Sequence, residues 1–346
     1  MSSPRQPADS PKAFIVLGTC NGARYLSELV DSVRRQSYRD WTMLVRDDQS
    51  DDGTAALLEQ LAAEDPRLVI LPGDSRREGP IGNFARLLES ARDRGADYVL
   101  PADQDDVWLP EKISRQMELM RRTEVEAGAG EPVLVYSDLS VVDAGLRTVH
   151  PSFFRHGRFR RNPPDPLRTL LAHNFIPACA MLLNRPLLEL VLPVPPCVPM
   201  HDWWIALCAA AAGRLACVSQ AMLLYRQHGH NTVGARGGWA SVNPLAKGFR
   251  TRWRQSRIHF ARHVEQARAL RDRLRQRAAR CSHQTLELLE GYCRSLETRT
   301  GTLHRIHGIH RLGIPQTVDL SKRLSFYARL LAQRPGARQR GEPRRE

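Results

Sequence analysis

From Ala13 to about Tyr136 the chain alternates short apolar runs with amphipathic stretches of helical period. The runs AFIVL (13–17), WTMLV (41–45), RLVIL (67–71), DYVLP (97–101) and VLVY (133–136) are four or five residues long and too continuously apolar to be half-exposed, which predicts strands buried on both faces of a sheet. Between them Leu26, Leu29, Val30 and Val33 stand at i, i+3, i+4 and i+7, as do Phe84, Leu87, Leu88 and Ala91, and each set predicts a helix with one apolar face. Strands alternating with such helices predict an α/β fold, a mostly parallel Rossmann-like sheet sandwiched by helices. In that architecture ligands bind beyond the carboxyl ends of the strands, so the loops that follow the strands are where chemistry is expected.

Residues 137–240 are less regular. Proline clusters at 163–166 and 193–199 predict long loops around one further strand, ACAMLLN (178–184), and a helix that starts near Asp202. From about residue 245 the texture changes to arginine-rich helix, as in TRWRQSRIHFARHVEQARALRDRLRQR. The expected organisation is a disordered N-terminus (1–12), an α/β domain (13–240), a basic helical extension (245–330) and a disordered tail (331–346) ending in QRPGARQRGEPRRE.

With 346 residues, 42% hydrophobic and 25% charged, the composition excludes a disordered chain, a collagen and a disulfide mini-scaffold. The net charge of +14 by itself suggests nucleic acid or an anionic membrane surface as partner. Its distribution changes that reading. Residues 1–240 hold 27 Lys+Arg against 29 Asp+Glu, whereas residues 241–346 hold 24 against 8, so the excess belongs to the C-terminal third. Seven scattered cysteines without a C-x-x-C pair fit free thiols in a reducing compartment. The polar opening MSSPRQPADSPKA has no apolar signal core, and the longest nearly uncharged stretch, Glu189 to Ile205, is broken by four prolines and an Asp. These features predict a cytoplasmic protein that lies on a membrane if it meets one.

The loops after the first four strands read GTCNG (18–22), RDDQSDDGT (46–54), a glycine-rich segment into GPIGNF (79–84), and ADQDD (102–106). Two of them are strongly acidic and G-x-G-x-x-G is absent, which argues against a dinucleotide fold, because a bare pyrophosphate is repelled by carboxylates. A hard divalent cation, Mg²⁺ or Mn²⁺, resolves the conflict by bridging carboxylate oxygens to a nucleoside diphosphate. Asp47, Asp48 and Ser50 to Gly53 read equally as a turn and helix cap. For Asp103, Asp105 and Asp106 a plain solvated loop is the weaker reading, since three acids within four residues repel one another directly after a buried strand.

In order and spacing these motifs resemble the family 2 glycosyltransferases of the GT-A fold. The resemblance covers about residues 13–235: T-C-N-G, R-R-Q-S-Y-R-D-W, D-D-Q-S-D-D-G-T, N-F-A-R-L-L, D-Q-D-D-V-W-L-P-E-K, H-D-W-W and Y-R-Q-H-G-H-N-T-V-G. It is strongest toward a bacterial rhamnosyltransferase-like branch. The resemblance implies that Thr19, Asn21 and Asp48 contact the nucleoside of a dTDP- or UDP-sugar, with Asp48 accepting from the pyrimidine imide N–H. It further implies that Gly82 and Asn83 line the base or phosphate side, that Asp103 touches ribose or metal, and that Asp105 is the principal ligand to Mn²⁺ or Mg²⁺. His201-Asp202-Trp203-Trp204 falls where the family places its catalytic base. An inverting transfer needs one carboxylate to take a proton from the acceptor hydroxyl, and Asp202 is that candidate, with Trp203 or Trp204 as a wall for the acceptor sugar. The alternative is that Asp202 only caps its helix and the tryptophans are core. In the same way Arg226 is a candidate diphosphate partner and His228 a candidate metal ligand, against the plainer reading of His228 as a solvated or core histidine.

The chain lacks the Q-x-x-R-W motif of processive polysaccharide synthases, which predicts addition of one sugar to a saccharide or lipid-linked saccharide acceptor in surface-polysaccharide synthesis. The basic C-terminal helices read either as a solvated face or as a peripheral contact with anionic lipid; nucleic acid is not expected, because zinc spacing, RNA-binding aromatics and a helix-turn-helix are all missing. Competing functions are a sugar-phosphate nucleotidyltransferase, against which stands the absence of its G-x-G-T-R-L-x-P-x-T loop, and a non-catalytic basic scaffold.

Overall fold

The computed structural model describes residues 11–228, 249–277, 281–296, 301–315 and 319–331. Each predicted strand is present: β1 (Ala13–Thr19), β2 (Trp41–Asp47), β3 (Leu68–Ile70) and β4 (Tyr98–Asp103), then β5 (Val107–Trp108), β6 (Val133–Val142), β7 (Thr148–His150), β8 (Met181–Asn184) and β9 (Arg214–Arg226). They form one sheet in the order β3-β2-β1-β4-β8-β6-β9-β5, with β7 paired to β6. β3, β2, β1 and β4 run parallel, as do β6 and β9, while β8 is antiparallel to both of its neighbours, and β5 and β7 are antiparallel to theirs. The sheet is therefore mostly parallel.

Two strands outrun their apolar runs. β6 continues past Tyr136 through Ser137 and Asp138, both buried, because the Asp138 carboxylate is satisfied locally: it accepts from Ser152 Oγ (2.6 Å) and from the amides of Leu139 and Phe154. β9 begins at Arg214, well before the apolar AMLLY segment, since its ladder with β6 supplies the pairing that its mixed residues do not advertise. The ACA of ACAMLLN is a 3-10 turn leading into β8.

The helices are α1 (Ala23–Arg34), α2 (Thr54–Glu64), α3 (Gly79–Asp93), α4 (Lys112–Ala127), α5 (Phe153–His156), α6 (Pro166–Leu170), α7 (Arg185–Val191), α8 (His201–Ala212), α9 (Phe249–Gln276), α10 (His283–Ser295), α11 (Thr302–Arg311) and α12 (Leu320–Leu331). Alternation along β1 divides them between two layers. Ile15 and Leu17 face Leu26, Leu29, Val30 and Val33 of α1 and Ile113, Met117 and Met120 of α4. Phe14 and Val16 face the opposite layer, with Phe84, Leu87, Leu88 and Ala91 of α3 and the apolar side of α8.

That second cluster continues into the basic third. Phe260, Val264, Ala267, Leu270 and Leu274 form a buried stripe along α9 that joins Trp204 of α8 and Leu288, Leu289 and Tyr292 of α10. Nine arginines stand along the helix, while its apolar stripe packs into the same core as α8. The expected boundary at 240–250 lies mostly outside the described residues, as do 1–10 and 332–346. Lys12, placed in the disordered N-terminus by its sequence, is instead fixed to β4: its N–H donates to Asp97 Oδ2 (2.9 Å) and its carbonyl accepts from Asp97 and Tyr98. Among the described residues no helix is long and apolar enough to cross a membrane.

Candidate functional site

The register places Gly18 beside Arg46 on one side and Asp103 on the other, with Thr19 opposite Asp47, so the loops after β1, β2 and β4 emerge together at one sheet edge. Hydrogen bonds tie them to one another. Asp47 accepts from Thr19 Oγ1 (2.7 Å), Ser50 Oγ (2.6 Å) and the Ser50 amide (2.8 Å). Asn21 is exposed and left-handed at φ 52°; its N–H donates to Ser50 Oγ and its Oδ1 accepts from the Asp51 amide. Asp48 is buried, and its two oxygens accept the amides of Glu78 and Gly79 at the start of α3, both at 2.8 Å. This capping leaves the carboxylate further lone pairs and fixes its direction.

The second acidic loop is held from several sides. Gln104 accepts from the Cys20 amide (2.9 Å) and donates to the Cys20 carbonyl (3.0 Å), clasping the β1 loop to the β4 loop. A Cβ on Gly22 would lie 2.3 Å from Gln104 Oε1, so the clasp demands glycine there. Asp105 Oδ2 and His228 Nε2 are 2.8 Å apart, both side chains mostly buried yet reached by solvent. Asp106 is wholly buried; its Oδ1 accepts from the Arg226 amide, and its Oδ2 has no hydrogen-bond partner among the described residues. Asp103, Asp106 and Cys179 present ligand atoms within 4.8 Å of one another. Burial and the charge of Asp105 push the Asp103 carboxyl up to about 7, and burial raises the Cys179 thiol, which stays protonated against the carboxylates. Carboxylate oxygens with one imidazole fit a hard divalent cation such as Mn²⁺ or Mg²⁺, with burial holding Asp106 and Cys179 protonated beside Asp103.

The rest of the D-Q-D-D-V-W-L-P-E-K motif is support. Lys112 is fully buried, donates to Gln116 Oε1 (2.9 Å) and lies 3.8 Å above the Trp108 ring, while the Trp108 amide donates to Ser32 Oγ of α1. Desolvation brings Lys112 down to about 7.

Asp202 sits in the first turn of α8, where its Oδ1 accepts from the Trp203 amide and Asn174 hydrogen-bonds its carboxylate. Burial is the main cause that lifts its carboxyl to about 7, with added repulsion from Asp103. The candidate base and the acidic loop therefore feel each other's charge. His201 contributes none: it is buried, stacks on Phe84 at 3.9 Å, and desolvation holds it neutral, down to about 3.

Three residues are placed where their expected roles cannot be filled directly. Trp204 has no exposed surface, donates from Nε1 to the Val191 carbonyl and carries Arg273 on its face, so it is a core residue and offers no wall to a sugar. Asn83 is buried and spent on Arg46, accepting from Nη1 (2.8 Å) and donating to its carbonyl (3.0 Å); it locks α3 to β2 and does not face the base. Arg226 is 1% exposed, its guanidinium bonded to Glu28 (2.8 Å) and to the carbonyls of Asp105 and Ala144 and stacked on Tyr25, so it positions the acidic loop and is no diphosphate partner. Gly82 is half-exposed on α3, where a Cβ would lie 2.7 Å from that of Glu78. Trp203 remains half-buried, its Nε1 donating to the Leu170 carbonyl and its ring 4.3 Å from that of His263.

The two tryptophans are thereby separable by experiment. Trp204→Ala is expected to cost about 3–5 kcal/mol, as for truncation of a large buried aromatic, and to lower the melting midpoint. Trp203→Ala is expected to raise the acceptor KM with a much smaller loss of stability. Equal thermal losses in both would remove the assignment of Trp203 to the acceptor side.

Gln104, Cys179 and Asn174 were not visible as site residues in the sequence. Gln104 had a signal, since it lies inside the acidic motif; Cys179 and Asn174 reach the site only because β8 inserts between β4 and β6 and the loop before it passes the start of α8.

In sequence and in fold the chain is similar to known glycosyltransferases. An uncharacterized glycosyltransferase of Nostoc sp., alr2836, is 28% identical over 224 residues, 64% of this chain and 66%, just under two thirds, of that protein's length. The dTDP-rhamnosyl transferase RfbG of Shigella flexneri is 22% identical over 256 residues, 70% of this chain and 82% of that one. Among solved structures, S. aureus TarS 1–349 in complex with UDP-GlcNAc superposes with a TM-score of 0.51 at 15% identity, covering 93% of this chain and 91% of that one, which shows a shared GT-A fold. The sequence profile described as Glycosyl transferase family 2 matches residues 14–190, and with the two acidic loops in place at the sheet edge the chain belongs to glycosyl transferase family 2.

Proposed function

We propose that the protein transfers a single sugar, rhamnose or another hexose, from a dTDP- or UDP-sugar to a saccharide or lipid-linked saccharide acceptor in surface-polysaccharide synthesis, with inversion at the anomeric carbon. The observation that carries this reading is the pairing of a desolvated Asp202 with the acidic loop of Asp103 and Asp105 beyond the strand ends. Support for a pyrimidine nucleotide comes from the buried, backbone-fixed Asp48 beside Thr19, an acceptor suited to an imide N–H, and from the dTDP-linked donor of RfbG and the UDP-GlcNAc bound to TarS.

In this mechanism Asn21 and Asp48 seat the nucleoside, with Gly82 on the same side, while buried Thr19 acts through Asp47, to which its hydroxyl donates. Asp103, Asp105 and His228 would hold Mn²⁺ or Mg²⁺, which when bound supplies Lewis-acid neutralisation of the departing diphosphate. Asp202 takes the proton of the acceptor hydroxyl as that oxygen attacks from the face opposite the diphosphate, and Trp203 bounds the acceptor. Cys179 and Lys112 stay below the site as neutral or weakly charged support. The GT-A domain is assigned to 13–240 and the basic extension to 245–330, which is read as contacting the anionic inner face of the cytoplasmic membrane, where a lipid-linked acceptor resides.

The test is a thermal-shift and product screen of nucleotide sugars with and without Mn²⁺. A donor that binds only the native state stabilises it, by about 2.7 kcal/mol at a hundredfold excess over Kd, and nucleoside diphosphate with an inverted glycoside is the expected product. Release of pyrophosphate from a nucleoside triphosphate and a sugar phosphate would establish the nucleotidyltransferase instead. If no nucleotide sugar shifts the protein at any metal concentration, the transferase reading falls in favour of a non-catalytic scaffold.

A further inference from the structure

We propose that α12 is a membrane-inserting helix, whose outward leucines Leu320, Leu324 and Leu331 enter the boundary between headgroups and acyl chains of an anionic bilayer. The proposal rests on the membrane reading above and adds an apolar anchor to it. α12 is apolar on two sides. On one, Phe326 and Leu330 are buried in the core, with Phe326 packed 5.6 Å from Phe260 of α9, and the Tyr327 hydroxyl donates to the Ile314 carbonyl. Lys322 donates to the Gly157 carbonyl and lies over the Phe159 ring. These contacts fix the helix to the body of the protein.

The other side faces solvent. Leu320, Leu324 and Leu331 are 65%, 53% and 55% exposed. At about 100° per residue they fall within roughly 40° of one another on the helix, a single stripe. Three outward leucines in one stripe are more than the scattered apolar residues of an ordinary surface, and such a stripe marks an interaction face. The residues that follow, Ala332–Glu346, contain no large apolar side chain.

Charge selects the partner. From Leu320 to the C-terminus eight Lys+Arg stand against two Glu, and Arg323 is exposed next to Leu324. A leucine stripe whose helix exposes Arg323 and is followed in sequence by the five arginines of 332–346 meets both of its requirements at an anionic lipid surface, where acyl chains take the leucines and acidic headgroups the arginines.

The experiment is co-sedimentation of the full chain with phosphatidylglycerol–phosphatidylcholine vesicles and with phosphatidylcholine vesicles alone. The wild-type protein is expected to bind the anionic vesicles, and Leu320→Ser/Leu324→Ser to bind them about tenfold more weakly with an unchanged melting midpoint and unchanged transfer to a soluble acceptor. Should the double variant melt early, Leu320→Gln at the most exposed position carries the same test. Undiminished vesicle binding by the leucine variants overturns the stripe while leaving an electrostatic membrane contact intact. No binding of the wild-type protein overturns both. A wild-type dimer that the double variant converts to monomer also overturns the proposal, by giving the stripe to a second copy.

Discussion

Asp202→Asn is expected to lower the transfer rate by about 10²–10⁴-fold, the usual contribution of a positioned general base, with donor KM little changed. Asn keeps the size of Asp and its side-chain oxygen still accepts from the Trp203 amide, so the start of α8 survives and the loss is one of proton acceptance. The pH dependence follows from the same burial. A carboxyl lifted to about 7 is an effective base only above that pH, so at saturating Mn²⁺ the wild-type rate rises through about pH 7 and levels off, whereas the residual rate of the variant lacks that rise. Stability moves in the opposite sense. Because the folded-state value lies above the ordinary carboxyl value, the stabilising contribution is full at low pH and is lost as pH rises through about 7. At pH 8 the Asn variant therefore melts at or above the wild-type temperature. Full activity in Asp202→Asn, or an unaltered pH profile, would remove Asp202 as the base.

The parallel half of the sheet and the faces of α1 and α3 were legible because a strand buried on both sides and a helix buried on one leave periodic apolar marks at Ile15, Leu17, Leu26 and Leu87. β9 was only partly legible, since the ladder to β6 replaces the apolar pattern over Arg214 to Gln220. At the site the acidic side chains were readable as types, but their division of labour was not. Asp48 in the loop after β2 receives two amides from the start of α3, while Asp202 in the first turn of α8 is lifted by burial near Asp103. Arg226 and Asn83 have the residue types of ligand contacts, and only tertiary packing shows their donors spent on Glu28, Asp105 and Arg46. The basic third misled in one respect: net charge marked α9 as a surface element, while its stripe from Phe260 to Leu274 is core.

Removal of divalent metal is expected to abolish transfer, and Asp105→Ala to reproduce that loss at any metal concentration below millimolar. Asp105 and His228 face each other at 2.8 Å where solvent reaches, and Asp103 adds a carboxyl that burial and its neighbour keep protonated up to about 7. Metal binding requires the deprotonated ligand, so the cation displaces a proton below that pH. Apparent Mn²⁺ affinity is then expected to fall about tenfold for each unit of pH below 7, with one proton released per ion bound. Calorimetry in buffers of different ionisation enthalpy reads the proton directly, without reference to turnover. Asp103→Asn abolishes the proton release if Asp103 is the group displaced, and it leaves a weaker site whose affinity varies less with pH. Undiminished transfer in excess chelator would remove the cation from the reaction, and the acidic loop would then serve only to set the charge around Asp202.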